Sequence, residues 1–96
     1  MLLSEGTSTS STYTLPVLSD SVVNYNWVYL SVKNAKQTGY IIIPKIVFTE
    51  LTGKDEYAAN YIGNGSGEFV RMYFDDEKIV RVYSLSNTTY RLYGFK

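Results

Sequence analysis

Asn24-Tyr25-Asn26-Trp27-Val28-Tyr29-Leu30-Ser31-Val32-Lys33 is the stretch that decides the fold. Val28, Leu30 and Val32 recur at every second position, with Trp27, Tyr29 and Ser31 between them. A period of two is that of an extended strand with one face in a core and one outward. Downstream, Glu68 to Phe74 repeats the pattern, with Val70, Met72 and Phe74 on one face and Phe69, Arg71 and Tyr73 on the other. Ile79 to Leu85 and Thr89 to Phe95 follow as further strands. Asp75-Asp76-Glu77-Lys78 and Ser86-Asn87-Thr88 are read as the turns between them.

Upstream, Leu15 and Val17 alternate with Thr14 and Pro16, which suggests an edge strand over Tyr13 to Val17, where a missing N–H costs nothing. The tract Thr7-Ser8-Thr9-Ser10-Ser11-Thr12 reads as a linker or as a hairpin turn between Leu2-Leu3 and Tyr13. Asp20-Ser21 marks a turn or the start of a short helical turn. Asn34 to Gly39 is expected to be a hairpin loop, leading into Tyr40-Ile41-Ile42-Ile43-Pro44 and then Ile46-Val47-Phe48, both β-branched and both read as strands. Pro44 belongs at an edge, a bulge or a strand end. Leu51 to Asn60 alone has mild helical character, and Gly63-Asn64-Gly65-Ser66-Gly67 is a loop by composition. Seven or eight short strands at this spacing predict an all-β, jelly-roll-like antiparallel sandwich, one domain over residues 1–96. Val28, Leu30, Val32, Val70, Met72 and Phe74 are its expected core.

Composition narrows the chemistry. Among 96 residues there is no His and no Cys. That excludes a disulfide, a Cys/His zinc site, a thiol nucleophile and an imidazole base. Lys+Arg and Asp+Glu are both 9, so the net charge is zero and the cationic surplus of a nucleic-acid binder is missing. No apolar run is long enough to span a bilayer as a helix, and Met1-Leu2-Leu3-Ser4-Glu5-Gly6 lacks the basic and apolar regions of a secretory signal. A soluble intracellular product, or a fragment of a longer chain, is expected, without membrane insertion.

Individual motifs add little chemistry. Gly63 to Gly67 lacks the Gly-Lys-Ser/Thr and following helix of a phosphate loop, so a strand connector is the better reading. Asp75, Asp76 and Glu77 lack the alternating ligand spacing of a calcium loop, and adjacent acids at a hairpin end serve to block edge pairing. Glu50, Asp55, Glu56, Glu68 and Asp75 could supply a hydrolytic carboxylate pair, but nothing pairs any two. Asn87-Thr88-Thr89 matches a glycosylation sequon, a pattern that arises often by chance. Neither enzyme activity nor a cofactor or metal is expected.

Leu3-Ser4-Glu5-Gly6, the Ser/Thr tract Thr7 to Thr12 and Tyr13-Thr14-Leu15 follow one another, then Asn24-Tyr25-Asn26-Trp27-Val28-Tyr29-Leu30 as the next strand motif and Tyr90-Arg91-Leu92-Tyr93-Gly94-Phe95-Lys96 as the tail. In these motifs and their order the chain resembles the C-terminal domains of bacteriophage tail-fibre and minor tail structural proteins. The resemblance implies a non-catalytic virion tail part, made in the host bacterial cytoplasm. It would pair with other tail proteins, form a homo-oligomer (often a trimer) and touch the host surface, a glycan included. A carbohydrate-binding sandwich of another lineage and a ligand-free scaffold or oligomerisation module are the alternatives.

Tyr 10, Phe 4 and Trp 1 give an aromatic share of 16%; Tyr can fill a core and still present hydrogen-bonding surface, while for most of the ten plain β composition is the better reading. Trp27, Tyr29, Tyr73 and Tyr83 are the candidate surface-contact residues. For Trp27 two readings stand side by side: an exposed contact face, or packing under a loop of its own chain.

Overall fold

The computed structural model describes residues 1–35, 37–61 and 69–96. Strands β1 (Leu2–Thr7), β8 (Thr89–Phe95), β3 (Trp27–Lys33) and β4 (Thr38–Pro44) form a front sheet in the order β1-β8-β3-β4. Strands β2 (Thr12–Thr14), β7 (Ile79–Tyr83), β6 (Phe69–Asp76) and β5 (Tyr57–Tyr61) form a back sheet in the order β2-β7-β6-β5. Every pairing is antiparallel. The expected sandwich is therefore what the chain forms. Its core comes from alternate residues of both inner faces, with Val28, Leu30, Val32, Val70, Met72 and Phe74 all buried as expected. Tyr90, Leu92, Ile41, Ile43, Val80 and Val82 join them.

The roll comes from the chain's two ends. β1 pairs with β8 in front and β2 with β7 behind, so two neighbouring segments cross together from one sheet to the other. This corrects the hairpin reading of the Ser/Thr tract, since β1 and β2 lie in different sheets. The crossing is pinned by Ser8, whose N–H donates to the Thr88 carbonyl at 2.9 Å and whose Oγ accepts from the Thr88 N–H at 3.1 Å. The Ser84 N–H likewise donates to the Ser11 carbonyl at 3.0 Å. Small hydroxyl residues suit this passage because they satisfy backbone groups that leave one ladder before joining the next.

Further expectations are corrected. β2 ends at Thr14, and Leu15 is buried while Val17 is 71% exposed, so those two do not share a face. Ile46-Val47-Phe48 is not a strand but part of helix α1 (Lys45–Leu51). Pro44 ends edge strand β4, and beyond it Val47, Phe48 and Leu51 fall on one helical face against the core while Ile46 points outward. Phe48 packs on Phe74 with ring centroids 5.6 Å apart. Leu51 to Asn60 holds only the end of α1, because Gly53 and Asp55 take positive φ values of 75° and 52° and turn the chain into β5. The stretch from Asn24 starts with a 3₁₀ turn (Val22–Asn24) capped by Ser21, and β3 proper begins at Trp27. Glu77-Lys78 makes the β6–β7 hairpin turn, with Asp75 and Asp76 in β6. The loop expected at Gly63 to Gly67, and Glu68, lie outside the described residues.

Candidate functional site: two aromatic outer faces

The parity that sends Val28, Leu30 and Val32 inward sends Trp27, Tyr29 and Ser31 to the outer face of the front sheet. Register then decides their neighbours. Trp27 lies opposite Phe95 and Pro44, Tyr29 opposite Tyr93 and Ile42, and Tyr93 opposite Leu2. Trp27 stacks on Phe95 with centroids 4.4 Å apart. Tyr29 lies 5.7 Å from Tyr40 and 6.1 Å from Tyr93. One half of this face is thus a continuous apolar surface, on which Tyr40 is 53% and Ile42 50% exposed. Trp27 and Tyr29 are half-buried, and the cover comes from side chains of adjacent strands. A shallow depression of about 350 Å³ opens between Tyr29, Ser31, Tyr93 and Phe95. The other half is polar: Glu5 and Arg91 pair at 3.2 Å, and Thr7 and Thr89 share a hydrogen bond at 2.9 Å.

Tyr73 and Tyr83 lie elsewhere, on the outer face of the back sheet. The four candidate residues therefore divide into two pairs on opposite sides of the sandwich. Tyr73 faces Tyr57 across β5–β6 with centroids 5.4 Å apart, and carries the Arg81 guanidinium over its ring at 4.0 Å. Arg81 in turn bonds Asp75 at 3.0 Å and Asp55 at 2.9 Å, and the Asp75 contact foremost holds its charge fixed by raising its pKa. Tyr83 lies 6.4 Å from Phe69. Between them Arg71 extends over three rings, those of Tyr57, Phe69 and Tyr83.

Among the described residues, no three Asp or Glu side chains converge in a way that could hold a metal ion. In the Asp75 to Glu77 run, Asp75 is committed to Arg81, and Asp76 accepts the Lys78 N–H at 3.1 Å. Tyr40, Ile42, Tyr93, Phe95, Tyr57 and Arg71 were not among the sequence-derived candidates. The parity of Thr89 to Phe95 carries the signal for Tyr93 and Phe95, which alternate with Tyr90, Leu92 and Gly94. Tyr57 gave no such signal, because β5 does not show in a stretch of mild helical character.

No family model matches the chain, and neither the curated proteins nor the solved structures contain a match to it.

Proposed function

We propose that the chain is a non-enzymatic structural domain of the virion-tail kind, which takes part in host-surface attachment and assembles with copies of itself through the outer face of its front sheet. The observation that carries the reading is the continuous surface of Trp27, Phe95, Tyr29, Tyr93, Tyr40 and Ile42. Apolar patches of this kind on a small domain mark contact surfaces. Tyr and Trp dominate interface hot spots because they bury much area at small entropic cost. The Glu5–Arg91 pair and the Thr7–Thr89 pair supply the polar rim such a patch requires. The order of sequence motifs at both ends of the chain points to the tail class. Among the described residues no helix is long and apolar enough to cross a membrane.

The test is adsorption of the fluorescently labelled domain to a panel of bacterial cells, comparing wild type with Tyr40→Ser/Ile42→Ser. Retention on some cells, reduced in the variant, supports the reading; no retention on any member, or equal retention by both proteins, removes it. A carbohydrate-binding module is the second reading. The observation favouring it is the ring cluster about Arg71 on the back sheet.

A further inference from the structure

Arg71 and Arg81 occupy the same outer face on adjacent strands, yet their charges are met differently. Arg81 lies on one ring and is neutralised by Asp75 and Asp55. Arg71 lies 4.6 Å from the Tyr57 ring centroid, 4.9 Å from Phe69 and 5.4 Å from Tyr83. Among the described residues no carboxylate reaches it, and its Nε is buried with no acceptor. A guanidinium N–H taken out of water without an acceptor is destabilising unless something supplies one. Arg81 shows that the same face can provide carboxylates where charge is only to be balanced.

We infer that Arg71 is the anchor of a binding site for a carboxylate-bearing sugar, with the carboxylate held by the guanidinium and the sugar ring laid against the neighbouring aromatic rings. The planar fork of an Arg matches a carboxylate through two parallel hydrogen bonds. The Tyr57, Tyr61 and Phe69 rings offer apolar faces, and the two Tyr hydroxyls a polar rim, which suits the apolar and hydroxylated sides of a sugar. These residues, with Asn60 and Arg71, line a depression of about 280 Å³, at the small end of ligand-site volumes and scaled to one or two sugar units. Asn60 pairs with Val70 and turns its side chain to the inner side of β5, where Nδ2 donates to the Tyr40 carbonyl at 2.9 Å, so the anchoring contacts come from Arg71 and the rings alone. This site is on the opposite face from the proposed assembly surface, so either can fail without the other.

The experiment is a titration of the ¹⁵N-labelled protein with tetragalacturonate, in parallel with neutral galactotetraose, acetate and inorganic phosphate. Saturable shifts at the Arg71 Nε–H and at Tyr57, Phe69 and Tyr83 are expected with the acidic oligosaccharide, and smaller ones or none with the three controls. Loss of a hydrogen bond to a charged group corresponds to about a 10- to 100-fold weakening, so Arg71→Gln is expected to bind at least that much more weakly. Lys45→Gln, at the exposed start of α1 and outside the lining of this depression, is expected to bind as wild type does. Arg71→Lys keeps the charge but loses the fork, and is expected to weaken binding as well, which covers the case in which Arg71→Gln does not fold. No saturable shifts at millimolar ligand, shifts confined to other residues, equal response to the neutral sugar or to phosphate, or full affinity in the folded Arg71 variants would each overturn the inference.

Discussion

Placing a single methyl group on Gly94 tests the packing of the chain's two ends. A Cβ there would lie 2.6 Å from Tyr25 Cγ and 2.7 and 2.8 Å from its two Cδ atoms, inside the approximately 3.4 Å at which ordinary contact begins. Neither partner can yield easily. Tyr25 is buried, and its hydroxyl donates to Asp20 Oδ2 at 2.9 Å. Gly94 is held by its N–H to the Met1 carbonyl at 2.8 Å, and its own carbonyl accepts from the Met1 amino group at 3.0 Å. Overpacking of this kind costs about 1–3 kcal/mol. The reduced freedom of the unfolded chain returns less than about 1 kcal/mol of that. For a domain of this length Gly94→Ala is expected to lower Tm by roughly 5–15 °C. Urea unfolding followed by circular dichroism, on Gly94→Ala, Tyr25→Ala and the double variant, isolates the contact. The cost of Gly94→Ala is expected to shrink by about 1 kcal/mol or more once the ring is gone. A variant as stable as wild type, or equal costs with and without the ring, would refute the reasoning.

Other perturbations follow from the same packing. Leu30→Ala, at a fully buried position of β3, is expected to cost about 2–5 kcal/mol, and a cost below about 1 kcal/mol would mean the site is not core. Among the described residues the buried Tyr90 hydroxyl makes no hydrogen bond of ordinary geometry and has only the Ser84 and Thr88 hydroxyls as neighbours for one, so Tyr90→Phe should be neutral or stabilising by up to about 1 kcal/mol; a clear loss of stability would show that one of those two is bonded to it. Hydrogen bonds from Asn24 and Tyr25 hold Asp20 below its ordinary pKa, so its contribution is present above about pH 4 and is lost as pH falls through the lowered folded-state value. Asp20→Asn should flatten the acid limb of Tm against pH, and an unchanged limb would contradict this. Burial pushes the Tyr25 and Tyr90 phenols above their ordinary value, so their contribution is complete below about pH 10 and declines as pH rises through the raised values, visible as a falling Tm.

The parts of the fold legible in the sequence are those in which a single face meets the core. β3 and β6 are read from strict alternation, and their inward residues are all buried. Ile46-Val47-Phe48 misleads because three consecutive apolar residues have no period; only Val47, Phe48 and Leu51 taken together give the helical spacing. The Ser/Thr tract misleads because turn composition marks a change of direction without saying which sheet the chain enters next. Pairing of β1 with β8 spans almost the whole chain, and local sequence carries no trace of it. Two motif pieces nevertheless meet in space: Gly94 of the closing tail accommodates the ring of Tyr25, and Gly6 of the opening strand lies under Tyr13. At the site, parity alone suffices to put Trp27 and Tyr29 outward. Their grouping with Phe95, Tyr93 and Tyr40, and their separation from Tyr73 and Tyr83, depends on strand order and required the structure.

The claim that the front-sheet aromatic surface joins copies of the chain is tested most directly by sedimentation equilibrium of the wild type beside Tyr40→Ser/Ile42→Ser. Both residues are exposed, so the substitutions should leave the fold and Tm intact. The wild type is expected to sediment as a multiple of 10.9 kDa at micromolar concentration, and the variant as a folded species of one chain. A wild type that stays monomeric across the accessible concentration range, or a variant that keeps the wild-type mass, would contradict the assignment of that face.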